Sequence, residues 1–227
     1  MAAGTVSPEN AAARLTKLDS CAVSDALDKL GLPGVVTHIH RFATERRISG
    51  RVLTVKLDRA EGRPPTTRHL CTAAIEAASP GDVIVVEQRT GLDAASWGGN
   101  LSLGAKMRGV SGVVIDGPAR DIDESRDLGF PVFATMPTAR TARGRIVEVA
   151  TNEPVSIGDL SVSPGDFVVA DGSAVAFIRV ADIERVLEAA EAIVAREKAM
   201  AEALAEDKPI SQVMGANYEH MLKKSTT

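Results

Sequence analysis

The sequence predicts an α/β layered domain whose sheet partly curls. Three observations lead there. Strands and helices alternate through the middle of the chain, residues 140–180 are strand-rich and broken by Gly and Pro turns, and residues 181–205 carry a long one-faced helical pattern. The size agrees: 227 residues, 44% of them hydrophobic, can bury the core of one domain of roughly 200 residues. Residues 1–206 are assigned to that single domain and 207–227 to a polar arm or tail.

Composition removes several function classes. A net charge of −4 and only 3% aromatic residues argue against nucleic-acid binding, which needs a basic surface or stacking platforms. No stretch approaches the roughly 18 apolar residues of a membrane span, and the first residues lack a basic stretch followed by an apolar core. The expectation is a soluble, cytoplasmic protein with no membrane partner. Cys21 and Cys71 have no metal-type spacing and read as small, half-buried core residues in a reducing compartment.

Residues 8–30 read as one helix, with Leu15, Leu18, Val23, Ala26, Leu27 and Leu30 at approximate 3–4 spacing and Gly31-Leu-Pro-Gly34 ending it. Residues 48–57 alternate as a strand, 58–68 form a Gly- and Pro-containing loop, and a helix is expected over 66–78. Two turns then echo one another. Ser79-Pro-Gly-Asp82 precedes the Val-rich run 83–87, and Ser163-Pro-Gly-Asp166 precedes 167–170. In each, Pro presets one dihedral, Gly tolerates positive φ, and Asp can bond the turn backbone, so both runs are short buried strands. Gly98-Gly-Asn100 opens a helix over 101–108 that Gly109 stops. A buried strand over 113–116 leads into the loop Gly117-Pro-Ala-Arg-Asp121. A helix through Ser125 and Arg126, closing before Pro131, and a strand over 132–134 follow. In the last helix, Ile183, Val186, Leu187, Ala190, Ile193 and Val194 share one face. That stripe carries on through Glu197, Ala201 and Leu204 until Pro209 ends the pattern.

Three features could carry chemistry. Asp116, Asp121, Asp123 and Glu124 place four carboxylates beside Arg120 within nine residues, in the loop at the carboxyl end of a buried strand where open α/β sheets place ligands. Such oxygen ligands suit Mg²⁺ or Mn²⁺; the alternative is a solvated acidic loop with Asp121 or Asp123 capping the next helix. In Ser96-Trp-Gly-Gly-Asn100, two glycines let the backbone approach a ligand and the first helical N–H groups suit an anion; the alternative is a tight strand-to-helix turn. Glu197 on an apolar stripe is costly unless paired or at an interface, where it would reach a neighbouring subunit's metal site; the alternative is a stripe that has already left the core.

The stretch from Trp97-Gly-Gly-Asn-Leu-Ser-Leu-Gly through Asp116-Gly-Pro-Ala-Arg-Asp-Ile-Asp-Glu124 resembles the RraA-like family. Further likeness lies in Ser24-Asp-Ala-Leu27, both Ser-Pro-Gly-Asp turns, Leu128-Gly-Phe-Pro-Val-Phe133, Ala170-Asp-Gly172 and the C-terminal helix. The family holds class II pyruvate aldolases acting on 4-hydroxy-4-methyl-2-oxoglutarate and 4-carboxy-4-hydroxy-2-oxoadipate, and also inhibitors of ribonuclease E. The resemblance implies a three-layer β/β/α sandwich of the swivelling-domain type with a C-terminal interface helix. It also implies homotrimers or homohexamers with active sites between subunits. Carried over, Arg120 binds the 2-oxo acid, Asp121 ligates Mg²⁺ or Mn²⁺, and Gly98, Gly99, Asn100, Leu101 and Ser102 hold the substrate carboxylate through the turn and its backbone amides. Glu197, in Arg196-Glu-Lys198, matches a carboxylate that the family supplies from the adjacent protomer toward the metal's water shell. One departure stands out: many family aldolases have Asp where this chain has Gly99, and Glu124, one helical turn beyond Asp121, is the residue that would replace it. The implied activity is metal-dependent retro-aldol cleavage of a 4-hydroxy-2-oxo acid to pyruvate, with oxaloacetate decarboxylation beside it. Another metal-dependent lyase, or a non-catalytic regulator binding ribonuclease E, are the alternatives.

Overall fold

The computed structural model of the protein describes residues 7–64 and 66–215. The N-terminal helical pattern is two helices rather than one, α1 (Pro8–Leu15) and α2 (Ser20–Leu30). The break has a local cause. Asp19 is extended and its carboxylate accepts the Ala22 N–H at 2.8 Å, so the chain restarts as a capped helix. Gly31, at φ +67°, closes α2. The two-residue strands β1 (Val35–Val36) and β2 (His40–Arg41) went unread in the sequence, being too short to show a period. The expected strand over 48–57 is β3 (Ile48–Arg59). The helix expected over 66–78 shortens to α3 (Thr72–Ala77), because Cys71 at φ +66° breaks the helical path before it.

The alternating middle consists of β4 (Val83–Glu87), α4 (Gly99–Met107), β5 (Gly112–Asp116), β6 (Pro118–Ala119), α5 (Ile122–Asp127), β7 (Val132–Ala134) and β8 (Met136–Pro137). The strand-rich part holds β9 (Ile146–Thr151), β10 (Val155–Ile157), β11 (Leu160–Val162), β12 (Phe167–Ala170) and β13 (Val175–Ile178). Then come α6 (Ile183–Ala205) and α7 (Ile210–Val213). Of the expected tail, 216–227 lie outside the described residues.

Among the described residues nine strands join one sheet in the order β1-β13-β12-β3-β4-β5-β7-β2, with β9 also paired to β3. β3 is the shared strand. Its first residues pair antiparallel with β12, residues 52–56 run parallel to β4, and its second half pairs with β9 across an irregularity at Lys56/Leu57 that bends it. The twin turns feed β4 and β12 to either side of it, and they are built alike. Asp82 and Asp166 accept the N–H groups of Ser79 and Ser163 at 2.9 and 2.8 Å, with Gly81 and Gly165 at φ +90° and +89°.

Side chains alternate between three apolar layers with the period of the strand. Ile84 and Val86 of β4 face α3, α4 and α5, whereas Val83 and Val85 face the inside of the curled sheet. Phe167 and Val169 of β12 pack under α1, α2 and α6, whereas Val168 and Ala170 turn inward. The β10–β11 hairpin covers that inner face through Val155, Ile157 and Val162. Hairpin, curled sheet and helices are therefore the expected β/β/α layering. Two buried carboxylates at neighbouring strand ends latch the hairpin: Glu87 accepts the Ser156 N–H at 2.7 Å and Asp116 the Gly158 N–H at 2.8 Å. The two cysteines part from the half-buried expectation in opposite directions: Cys71 is fully buried in the core, and Cys21 is exposed on α2. No described helix is long and apolar enough to cross a membrane.

Asp171 ties α2 to the β12–β13 hairpin. Its carboxylate accepts the Ser20 N–H at 2.8 Å, the Ser20 hydroxyl at 2.7 Å and the Ser173 N–H at 2.9 Å. Burial works to raise its pKa, but these donors together outweigh burial and hold it below the ordinary 3.8. A depressed carboxyl gives stability that is complete above the unfolded pKa and is lost as pH falls through the folded one. Asp171→Asn is expected to lower unfolding free energy by about 1–3 kcal/mol at pH 7. In urea titrations from pH 7 to pH 3, the gap between wild type and variant should narrow only below about pH 4. A gap that stays constant with pH would contradict this account.

Candidate active site

The loop after β5 is where the acidic cluster resolves. Asp116 does not belong to it: its carboxylate points inside the curled sheet, 3.0 Å from His38 Nε2 and bonded to Gly158. Asp123 pairs with Arg126 on the outer face of α5. Two carboxylates remain, those of Asp121 and Glu124.

Asp121 stands at the N-cap position of α5, yet its side chain does not cap that helix. It sits at φ +56° and ψ +42°, a conformation that costs a non-glycine residue about 1 kcal/mol or more. The carboxylate instead accepts the Gly99 N–H at 3.0 Å through one oxygen and the Arg120 Nε–H at 3.0 Å through the other. One side chain thereby joins the first turn of α4 to the guanidinium of its own neighbour. The pair is partly shielded, with side-chain exposures of 39% for Arg120 and 26% for Asp121.

The glycines of the turn serve this approach. A Cβ on Gly98 would lie 2.7 Å from Asp121 Oδ2, and one on Gly99 would lie 1.8 Å from Glu124 Oε2. The carboxylates of Asp121 and Glu124 stand against this turn, which also borders an open cleft. Glu124 is exposed, and its carboxylate makes no hydrogen bond or ion pair among the described residues. An aspartate at position 99, which the resemblance leads one to expect, would compete with Glu124 for this volume.

The amides of the turn divide. Ser102 is buried and its N–H goes to the Gly98 carbonyl at 3.0 Å, so it is not available to a substrate carboxylate as expected. Its hydroxyl accepts the Trp97 Nε1–H at 2.9 Å and meets the Ser125 hydroxyl at 2.8 Å, which packs α4 against α5. Trp97 in turn stacks on Phe130 at 6.1 Å between ring centroids. The N–H groups of Asn100 and Leu101 have no acceptor among the described residues. As the first orphan donors of a nine-residue helix, they suit an anion.

Gly98, Gly99, Asn100, Leu101, Arg120 and Asp121 line one cleft of about 230 Å³. Its opposite wall, which the sequence did not disclose, comes from His69, Leu70 and the 141–143 loop. Glu197 is absent from this cleft. It is exposed on α6, where the stripe's own buried part ends at Ile193. Partial desolvation, with the charges of Asp19 and Asp25, holds its carboxyl above the ordinary 4.5. Among the described residues no three His, Cys, Asp or Glu side chains gather as a complete metal cage.

The crowding at Gly99 makes a prediction with a sign. A helical Gly→Ala change ordinarily stabilises by about 0.5–1 kcal/mol. Here Gly99→Ala should instead forgo that gain and cost up to about 1 kcal/mol, because the exposed Glu124 side chain must swing away from the new methyl and its Cβ still lies close, at 3.3 Å. In a Glu124→Ala background the same change should become neutral or stabilising. A double-mutant cycle in urea reads the coupling, and additivity of the two changes would contradict the packing described.

Comparison with known proteins agrees with this architecture. The RraA-like family, described as Aldolase/RraA, matches residues 20–176. A Halalkalibacterium halodurans protein named "Putative 4-hydroxy-4-methyl-2-oxoglutarate aldolase" is 32% identical over 190 residues, covering 82% of this chain and 84% of its own. Protein DlpA of Legionella pneumophila is 28% identical over 165 residues, covering 73% of this chain; the chain spans 27% of that longer protein. A crystal structure of an uncharacterized Pseudomonas syringae protein superposes with a TM-score of 0.82 at 26% identity, covering 92% of this chain and 100% of that one. Streptomyces coelicolor RraAS2, titled an unusual member of the RNase ES inhibitor RraA protein family, has a TM-score of 0.74 at 24% identity, covering 82% and 94%, which shows the fold alone. The matched span covers the twin turns, the glycine turn and the Arg120-Asp121 pair, and the chain belongs to the RraA-like family.

Proposed function

We propose that this chain is a divalent-metal-dependent carbon–carbon lyase that cleaves a 4-hydroxy-2-oxo acid and releases pyruvate, with oxaloacetate decarboxylation as a side activity. The observation that carries the proposal is the Asp121 carboxylate. It faces away from its own helix and fixes Arg120 beside two unpaired amides in one cleft. The aldolase name of the Halalkalibacterium relative supports the same reaction class.

The residues suit a hard dication. Asp121 and Glu124 both converge on the Gly98–Gly99 turn, and Mg²⁺ or Mn²⁺ needs only one or two carboxylates when it keeps its waters. Asp121 would ligate it directly and Glu124 would orient its water shell. When bound, the dication supplies positive charge against the substrate's 2-oxo and carboxylate oxygens.

The chain's own groups do the rest. The N–H groups of Asn100 and Leu101 hold the substrate carboxylate at the start of α4, where the helix dipole favours an anion. Arg120 is committed to Asp121 through Nε, and its two other nitrogens have no partner among the described residues. They face the charge that gathers on the 2-oxo oxygen as the C3–C4 bond breaks. That interaction is stronger in the transition state than in the ground state, which is the condition for accelerating the step. The 4-hydroxyl proton leaves toward Glu124, the electron pair of the broken bond passes to the 2-oxo oxygen, and a proton returned to C3 completes pyruvate. Loss of carbon dioxide from oxaloacetate forms the same enolate. In a homotrimer, or a hexamer of two trimers, the exposed Glu197 of one protomer would complete the cleft of the next.

Pyruvate release from 4-hydroxy-4-methyl-2-oxoglutarate, followed with a lactate dehydrogenase couple, tests the proposal. Arg120→Gln and Asp121→Asn should each lower kcat by about 10²–10³-fold. EDTA should abolish turnover and Mg²⁺ or Mn²⁺ should restore it. Equal turnover with EDTA and with Mg²⁺ would sink the metal-dependent reading.

A further inference from the structure

His69, Leu70, Thr141, Ala142 and Arg143 also line a second, larger groove of about 510 Å³, so cleft and groove share one wall. Charge along that groove is mostly compensated. Arg63 pairs with Asp58 and Arg68 with Glu76. Glu148 accepts the Cys71 N–H and the Thr151 hydroxyl. Arg143, which lines both spaces, makes no ion pair and no side-chain hydrogen bond among the described residues.

The backbone beneath Arg143 is held in place. Its own N–H meets the Thr141 hydroxyl at 3.3 Å, and Arg145 N–H returns to the Ala142 carbonyl at 2.8 Å around Gly144 at φ +72°. The Arg140 carbonyl accepts the Ala95 N–H at 2.9 Å, which ties this loop to the segment entering the glycine turn. In the shared wall Leu70 and the half-buried Ala142 pack into the core, with His69 and Thr141 beside them. Arg143 therefore lines the same cleft as Arg120 and the Asn100–Leu101 turn, with its guanidinium uncommitted.

We infer that Arg143 is a specificity-determining residue: it pairs with an anionic group at the far end of the 2-oxo acid, so that diacids are cleaved in preference to monoacids. The inference rests on the lyase reading above. A guanidinium is suited to this task because its planar fork matches a carboxylate, and an interaction remote from the breaking bond acts on binding rather than on chemistry.

The test compares kcat/KM for a diacid, 4-hydroxy-4-methyl-2-oxoglutarate, with that for a monoacid, 4-hydroxy-2-oxopentanoate, both with Mg²⁺. Arg143→Gln should lower the diacid value about 10–100-fold, mainly through KM, and leave the monoacid value unchanged. Arg143→Lys should keep most of the diacid preference. A parallel fall on both substrates, or no change on either, would overturn the role of Arg143 while leaving the lyase reading intact. A wild type that releases pyruvate from neither acid would overturn the lyase reading and this inference with it, so the two failures have different signatures.

Discussion

The site depends on one carboxylate. Asp121 holds a left-handed backbone conformation, the N–H of Gly99 and the Nε of Arg120 at once. A hydrogen bond from a backbone N–H to a charged acceptor contributes about 1.5–3 kcal/mol and a partly exposed pair such as Arg120–Asp121 about 0–1 kcal/mol, against about 1–2 kcal/mol for the strained turn. Together the two bonds offset the strain. The same bonds decide where the chemistry faces. A carboxylate capping its own helix would leave Arg120 untethered and the α4 amides without a defined neighbour. Turned outward, it sets a fixed cation and two free donors around one small volume.

The sheet supplies the frame for that arrangement. Parallel strands β4, β5 and β7 end on the same side, and their following loops carry the glycine turn and the Arg120-Asp121 pair. Below them, Glu87 and Asp116 are committed to the backbone of the β10–β11 hairpin, so two carboxylates close to the site in sequence contribute to folding instead. Trp97, Ser102 and Ser125 form a buried chain that fixes α4 relative to α5. The positions of the two residues that meet through Asp121 are thus set by packing that involves no ligand.

Much of this was legible in the sequence because it is local. The twin Ser-Pro-Gly-Asp turns fix their own dihedrals, the Val-rich runs can only be buried strands, and the stripe through Ile193 needs only the period of a helix. The helix expected over 8–30 failed at Asp19, where a capping carboxylate outweighed an approximate apolar spacing. Ser102 was assigned to a substrate because it follows the glycine turn, but one more residue of helix is enough to bind its N–H internally. Asp116 looked like a fourth acid of one cluster; the alternation of a strand sends its side chain to the opposite layer from the loop it precedes. Glu197 could be placed on a helix face but not beside a site. His69 and Arg143 gave no local signal at all. They lie on chain segments about thirty and forty residues from the glycine turn, which only the fold brings to one cleft.

A crystal structure of the protein grown with magnesium and pyruvate examines the central interaction most directly. The account predicts the pyruvate carboxylate on the Asn100 and Leu101 amides, its 2-oxo oxygen facing the Arg120 guanidinium, and the cation against Asp121. Pyruvate bound elsewhere, or Asp121 turned back to cap α5 with Arg120 released into solvent, would contradict it.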